Sequence, residues 1–202
     1  LLVDNLPLLH ENWCYNNQLT SLDVSYCSSL NILSCENNQL TNINLNGVSS
    51  LSSVACYNNQ ITSLDFSNNT NLSQLDCYDN QLISINLTGC NLLSNLDLYD
   101  NPFVNLNLSN LLGLQSILCG SMPTLKTIDV SGCTSLQHVN FDSQMIDSMD
   151  FSNTDMPSID IISGASPSYI NVNNCFNLQS LVVDNLNMYN LDLSTNTALT
   201  SL

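Results

Sequence analysis

The sequence predicts a β-rich solenoid, a right-handed coil of about nine repeats with short parallel strands and little or no helix. Three observations lead to this fold class. The chain repeats itself with a period of 21 residues, which is the signature of a repeat architecture. Each repeat contains two short segments in which apolar and polar residues alternate, as in strands with one buried face. No segment carries the apolar stripe of an amphipathic helix over ten residues.

The repeat is clearest in the first half of the chain. Residues 19–39, 40–60 and 61–81 are consecutive copies of one 21-residue unit. The unit that begins at Phe103 is one residue longer, and no linker interrupts the series. Residues 1–202 are therefore predicted to form a single solenoid. Because both ends fall partway through a repeat, we interpret it as a fragment of a longer repeat protein. The remaining units begin at Leu82, Leu125, Ile146, Pro167 and Met188.

Two strands are predicted in each unit. In the first complete unit they lie around residues 22–24 and 33–35, where apolar residues occupy alternate positions. The connections between such segments are too short for a helix, so each unit should form one turn of a coil. Parallel stacking of successive turns would then place residues of the same repeat position side by side.

Written from Leu30, the unit reads LxxLxCxxNxLxxLDVS. This pattern resembles the leucine-rich repeat, whose signature is LxxLxLxxN/CxL. More narrowly, it is similar to the 21-residue class called IRREKO, with the pattern LxxLxCxxNxLxxLDL, which is best known from Gram-negative bacteria. The resemblance covers nearly the whole chain and is most specific between residues 9 and 101.

An asparagine recurs at one position of the repeat. In this architecture an inward amide satisfies backbone groups in the turn after the strand, and stacked amides form a ladder. The sequence therefore predicts a structural role for these residues. Beyond Phe103 the position holds Met122, Gln144, Ala165 and Leu186. The predicted ladder consists of Asn17, Asn38, Asn59, Asn80 and Asn101.

The nine cysteines fall into two columns of the repeat. In the first column Cys alternates with apolar residues at the inward strand position, which indicates small buried side chains. Spacing excludes disulfides within the second column but leaves them open between neighbours of the first. Since no Cys-x-x-Cys motif occurs, neither a zinc site nor another cofactor is expected. The first column holds Cys14, Cys35, Cys56, Cys77 and Cys119, and the second Cys27, Cys90, Cys133 and Cys175.

Side chains that flank the inward strand residue should point outward. Five of the eight Trp and Tyr residues fall in these outward columns, in the first half of the chain. Exposed aromatic strips are typical of recognition surfaces, although Tyr pairs on neighbouring strands also stabilise a sheet. We define the aromatic-acidic strip as the predicted ligand-binding residues Trp13, Tyr15, Glu36, Tyr57, Asp76, Tyr78, Asp97 and Tyr99.

Acidic residues of two adjacent repeats cluster beside this strip. Stacked strands would bring their carboxylates together, where they would hold Ca²⁺ through oxygen ligands or receive Lys or Arg from a partner. A solvated acidic edge explains the same residues and is the favoured interpretation, because the glycine-rich calcium repeat of other solenoids is absent. The candidate metal ligands are Asp76, Asp79, Asp97 and Asp100.

A further outward column alternates Asp with Asn. Such alternation reduces repulsion between like charges on neighbouring strands, and the column is predicted to be a solubilising face. Its members are Asp23, Asn44, Asp65, Asn86, Asn107, Asp129, Asp150, Asn171 and Asp192.

Charge and composition exclude several classes of function. The chain has 17 Asp and Glu residues against one cation, Lys126, and a net charge of −16, so nucleic-acid binding is not expected. No apolar run approaches the ~18 residues that a membrane-spanning helix needs. The two histidines, His10 and His138, lie about six repeats apart. Because no nucleophile–base pair can be built from them, an enzyme is not predicted.

Two functional hypotheses remain. In the first, the chain is a non-catalytic binding module of a secreted or cell-surface protein, which recognises a protein or glycan through the aromatic-acidic strip. The extracellular location follows from the family resemblance and from the scarcity of cleavage sites for trypsin-like proteases. In the second, it is a structural spacer or a subunit of an extracellular fibre that self-associates head to tail.

Overall fold

The computed structural model describes residues 1–140, 146–161, 167–183, 188 and 190–202. Over these residues it is a parallel β-solenoid of about eight turns, built from strands and turns without a helix. The predicted fold class is thereby confirmed. The chain divides into two compact units, Leu1–Asn101 and Pro102–Leu202, which are treated separately below. The interpretation of residues 1–202 as one domain and as a fragment stays a prediction.

The first unit contains nine strands of two or three residues. Odd-numbered strands pair in parallel in the order β1-β3-β5-β7-β9, and we call them the principal sheet. On the second face, β2 pairs with β4 and β6 pairs with β8. The strands are β1 (Glu11–Trp13), β2 (Leu22–Asp23), β3 (Ile32–Ser34), β4 (Ile43–Asn44), β5 (Ser53–Ala55), β6 (Ser63–Asp65), β7 (Gln74–Asp76), β8 (Ser84–Asn86) and β9 (Asn95–Asp97).

The second unit continues the same pattern of short strands. A four-stranded parallel sheet has the order β10-β12-β14-β16, while β11 pairs with β13 and β15 pairs with β17. The strands are β10 (Asn105–Asn107), β11 (Ser116–Leu118), β12 (Thr127–Asp129), β13 (His138–Asn140), β14 (Ser148–Asp150), β15 (Ser158–Asp160), β16 (Tyr169–Asn171) and β17 (Ser180–Val182).

The register between strands follows the repeat. In the first unit residues 21 positions apart are paired, as Asn12 is with Leu33. In the second unit Ile117 pairs with Val139, 22 positions on, because the Phe103 repeat has one more residue. Equivalent side chains therefore stack on top of one another, and the apolar ones fill the interior of the coil. Leu33, Val54, Leu75 and Leu96 are at most 2% exposed.

Tight corners between the strands depend on residues with positive φ. After each principal strand of the first unit, the chain turns through one such residue, with φ between 50° and 56°. Asn and Asp adopt this left-handed conformation more readily than other non-glycine residues, which explains the Asn-Asn and Asp-Asn pairs in the repeat. These corner residues are Asn16, Asn37, Asn58, Asp79 and Asp100.

Candidate interaction surface

The aromatic-acidic strip lies on the outward face of the principal sheet, within the first unit. In-register pairing forms one row of Trp13, Ser34, Ala55, Asp76 and Asp97. Backbone hydrogen bonds continue beyond the strand ends and align a second row two residues further on. That row contains Tyr15, Glu36, Tyr57, Tyr78 and Tyr99. The structure thus brings together the residues that the sequence assigned to the strip.

The aromatic rings of the strip form two contacts. Tyr57 and Tyr78 are half-buried and stack face to face, with ring centroids 4.4 Å apart and planes 7° apart. Trp13 and Tyr15 meet edge to face at 6.4 Å, and both are exposed. Tyr99 is exposed on the following turn. Ring pairs of this kind are stabilising in themselves, so the surface is held in shape before any ligand binds.

The carboxylates of the strip lack a countercharge. Residues 1–101 contain neither Lys nor Arg, and Asp76 lies opposite Asp97 in register. Partial burial raises the pKa of Asp76. Burial also raises the pKa of Asp97, as does the charge of Asp76, although the backbone N–H of Tyr99 donates to its Oδ1 at 3.0 Å and opposes the rise. Glu36 Oε2 is buried and has no hydrogen-bond partner among the described residues.

The carboxylate charges of the strip affect the ionisation of Tyr78. Burial, the neighbouring hydroxyl of Tyr57 and the carboxylates of Asp97 and Asp79 raise the pKa of Tyr78 to about 12. The phenol, like an ordinary tyrosine, is protonated at neutral pH and keeps its hydrogen-bond donor. A cation that bound here would meet a stacked ring pair and the carboxylates of Asp97 and Asp79, for which residues 1–101 provide no Lys or Arg.

The proposed metal ligands have another role. Asp79 and Asp100 are the left-handed corner residues of their turns, with φ of 50° and 56°. Burial and the nearby Asp100 raise the pKa of Asp79. In the parts of the chain that the structure describes, no group of three or more His, Cys, Asp or Glu side chains is placed to hold a metal ion.

The asparagine ladder is present and structural, as predicted. Asn80 donates from Nδ2 to the carbonyls of Cys56, Cys77 and Tyr78 at 3.0 to 3.2 Å, and its Oδ1 accepts from Ile61 N–H at 3.0 Å. Burial deepens along the ladder, from the exposed Asn17 to Asn101, which is 2% exposed. Of the later positions, Met122 is buried, whereas Gln144, Ala165 and Leu186 lie outside the described residues.

The Asp/Asn column on the second face does more than solubilise the protein. At each of its nine positions, Oδ1 accepts the backbone N–H two residues further on, at 2.8 to 3.2 Å. These bonds close the turn that follows each strand. Asn44 also donates to Asp23 Oδ2 at 3.0 Å, across one turn of the coil. The sequence signal for this turn-closing role was that both Asp and Asn occur at the position, since both side chains provide Oδ1.

All nine cysteines are buried thiols outside disulfide bonds, and several donate from Sγ to backbone carbonyls. Cys35, Cys56 and Cys77 stack on consecutive turns, and burial raises the pKa of each thiol. The disulfides that the sequence left open in this column are not formed. The cysteines therefore act as small apolar side chains of the core.

Among the described residues, no helix has the length and apolar character needed to cross a lipid bilayer.

No protein-family model matches the sequence, and no curated protein matches it. Solved structures, however, are similar to this chain. The functional domain of InlJ from Listeria monocytogenes, which "includes a cysteine ladder", is 25% identical with a TM-score of 0.58, covering 97% of this chain and 48% of that one. YopM from Yersinia enterocolitica is 20% identical with a TM-score of 0.60, covering 96% of this chain and 46% of that one. Both have the leucine-rich repeat fold, which this chain shares, and the chain spans about half the length of each.

Proposed function

We propose that this leucine-rich repeat chain is a non-catalytic protein-binding module, and that it binds its partner through the aromatic-acidic strip. The observation that carries the proposal is that five Trp and Tyr residues, from four turns, lie on one outward face of the principal sheet. Solenoids use their extended surfaces for binding. Aromatic rings are enriched in protein interfaces, where they give a large contact area at little entropic cost.

The centre of the strip is its best anchor. Tyr57 and Tyr78 are half-buried and fixed by their stack, so few rotamers remain to be frozen when a partner docks. Residues at the centre of an interface contribute most of its affinity, whereas the rim contributes little. We therefore expect these two residues to contribute more than the more exposed Trp13 and Tyr15.

The proposal also concerns the cellular location of the protein and the class of leucine-rich repeat to which it belongs. We propose a secreted or cell-surface protein of the 21-residue IRREKO-type class, in keeping with a chain whose single trypsin site is Lys126. A glycan is the alternative ligand for the same aromatic surface. The fibre or spacer hypothesis instead requires no ligand on the strip at all.

A pair of double variants tests the proposed surface. Tyr57→Ala/Tyr78→Ala removes the stack, and the control Tyr26→Asn/Tyr169→Ala removes two exposed tyrosines elsewhere, 62% and 52% exposed. Asn suits the positive φ of Tyr26. Far-UV circular dichroism first establishes that both variants are folded. The unmodified chain and both variants are then used to capture proteins from cell-surface and culture-fluid extracts, and the captured proteins are quantified by mass spectrometry. Each partner found in this way is purified, and its Kd for the three chains is measured.

The expected result is that the stack variant binds its partner at least ~10-fold more weakly, since loss of a central anchor costs about 2 kcal/mol, while the control binds as the unmodified chain does. Equal binding by the two double variants would overturn the proposal. Binding that glycosidase treatment of the extract abolishes would favour the glycan ligand instead.

A further inference from the structure

The ring stack in the strip has carboxylates at both of its ends. On the turn before Tyr57, the same row holds Glu36, whose Oε2 is buried without a partner among the described residues. On the other side, Tyr78 interacts with the charges of Asp97 and Asp79. Within the described residues Tyr99, on the next turn, forms no ring contact with Tyr78. The second face of the Tyr78 ring is therefore not covered by another ring.

The first unit supplies no cation for these carboxylates. Residues 1–101 contain no Lys or Arg, and Lys126, in the second unit, is 3.7 Å from Asp147. Asp76 and Asp97 face outward from neighbouring strands as a like-charged pair, an arrangement that destabilises a sheet unless a countercharge is provided. Charge complementarity thus favours a positively charged group on whatever docks here.

We infer that the partner protein presents an arginine side chain to this strip, with its guanidinium on the face of the Tyr78 ring that points away from Tyr57 and its N–H groups on Asp97 and Asp79. This inference rests on the proposed function, since it concerns the same surface, and it specifies the chemistry of the partner. The binding element is an arginine-bearing segment of a protein.

Arginine fits the arrangement better than lysine. Its guanidinium is planar, so it extends a stack of parallel rings such as Tyr57 and Tyr78, and its forked donors match carboxylates on two adjacent turns. A lysine ammonium carries the same charge but neither stacks nor bridges in this way. Attraction of a cation to an aromatic ring also strengthens when the ring is partly desolvated, as Tyr78 is.

The test uses three capped nine-residue peptides of sequence GSXSXSXSG, in which X is arginine, lysine or citrulline. Citrulline keeps the shape of arginine without its charge. Their Kd values for the whole chain are measured by fluorescence anisotropy at low and physiological salt. The site variant Asp79→Asn/Asp97→Asn keeps the turn of Asp79, since Asn adopts positive φ, and keeps Oδ1 for the N–H of Tyr99.

The matched control for that variant is Asp129→Asn/Asp192→Asn, in the second unit. It changes the net charge by the same amount and likewise keeps the Oδ1 acceptors for Ser131 and Ser194. Non-specific attraction to an acidic chain would weaken equally in the two variants. Binding at the strip would weaken only in the first.

We expect the arginine peptide to bind about threefold or more tightly than the lysine peptide, and the citrulline peptide to bind at least about tenfold more weakly. Asp79→Asn/Asp97→Asn should weaken arginine binding about tenfold, and the control less than twofold. Tyr78→Leu should abolish the preference for arginine over lysine.

Equal binding of the arginine and lysine peptides, or equal weakening by the two Asp→Asn variants, would overturn the inference. Neither result would affect the proposed surface, which the capture experiment with Tyr57→Ala/Tyr78→Ala tests separately. If that capture also failed to depend on the tyrosines, the proposed function itself would be wrong.

Discussion

The substitution Asn80→Ala should be among the most destabilising single changes on the ladder. The side chain is 8% exposed, and its amide serves carbonyls of two turns as well as the Ile61 N–H. Truncation to Ala leaves the Ile61 N–H buried with no acceptor. The carbonyls of Cys56 and Cys77 each lose one donor but keep the amides of Asn59 and Asn101. An orphaned buried donor costs about 1–3 kcal/mol and each lost hydrogen bond about 0.5–1.5 kcal/mol, so the free energy of unfolding should fall by about 2–6 kcal/mol.

Two reference substitutions show how much of the cost of Asn80→Ala comes from burial. Asn17→Ala removes the same side chain where it is exposed and its amide serves only its own turn, at Cys14 and Tyr15. Asn95→Ala removes an exposed amide that donates to the hydroxyl of Ser94 at 3.2 Å. We expect costs of about 1 kcal/mol for the first and within about 0.5 kcal/mol for the second.

Urea unfolding followed by far-UV circular dichroism measures these differences. Because turns of a solenoid contact mainly their neighbours and need not unfold together, amide hydrogen exchange around residue 61 should accompany it as a local readout. Similar urea midpoints for Asn80→Ala and Asn17→Ala, with unchanged exchange of Ile61, would refute the argument that burial of the satisfied backbone groups determines the cost.

Four further predictions concern single positions. Gly47→Ala should destabilise the chain more than Gly89→Ala. Both glycines have positive φ, which costs roughly 1 kcal/mol for Ala. In addition, a Cβ at Gly47 would lie 2.8 Å from Cδ1 of Tyr26, whereas the nearest atom to a Cβ at Gly89 is 3.8 Å away. Equal urea midpoints would contradict this. Asp76→Asn should raise the urea midpoint at pH 7, because burial raises the pKa of Asp76 and its charged form opposes folding. The gain should shrink as the pH falls through the raised folded pKa, and it should be gone below the unfolded pKa of about 4. Asp65→Asn keeps Oδ1 for the N–H of Ser67 but removes the charge. It should lower the midpoint at pH 7, since hydrogen bonds from Ser67 lower the pKa of Asp65. That contribution is complete above pH of about 4 and is lost as the pH falls through the lowered folded value, so a loss that persisted at acidic pH would count against it. Finally, Ellman's reagent should label Cys77 only as fast as the coil opens, because burial raises the pKa of its thiol; rapid labelling of the native chain would show that the column is accessible.

Much of the fold could be predicted because a parallel coil turns sequence spacing directly into contacts. Once the period is known, residues one repeat apart must be neighbours, so the row of Trp13, Asp76 and Asp97 follows by arithmetic. The inward amides, the buried thiols and the outward aromatic row could all be assigned in this way. The longer Phe103 repeat even predicts the shift in register between Ser116 and His138.

Details set by rotamers and backbone angles could not be predicted from spacing. Repeat position places Tyr57, Tyr78 and Tyr99 equivalently, yet only the first two stack. Asp79 and Asp100 looked like ligand candidates, but their positive φ shows that they also form the corners of their turns. Choosing between these roles requires knowing which residue of a corner takes the left-handed conformation, and the pairing period does not determine that.

The ladder amides also give the coil a direction. Asn38 accepts from the N–H of Leu19 and donates to the carbonyl of Cys14, which lie 19 and 24 residues earlier in the chain. Asn59 does the same for Leu40 and Cys35. Each amide therefore satisfies backbone groups that precede it by about one repeat. During translation each repeat would leave the ribosome with a backbone N–H that has no hydrogen-bond acceptor until the next 21 residues are synthesised. The first half of this chain is therefore suited to folding in the order in which it is synthesised.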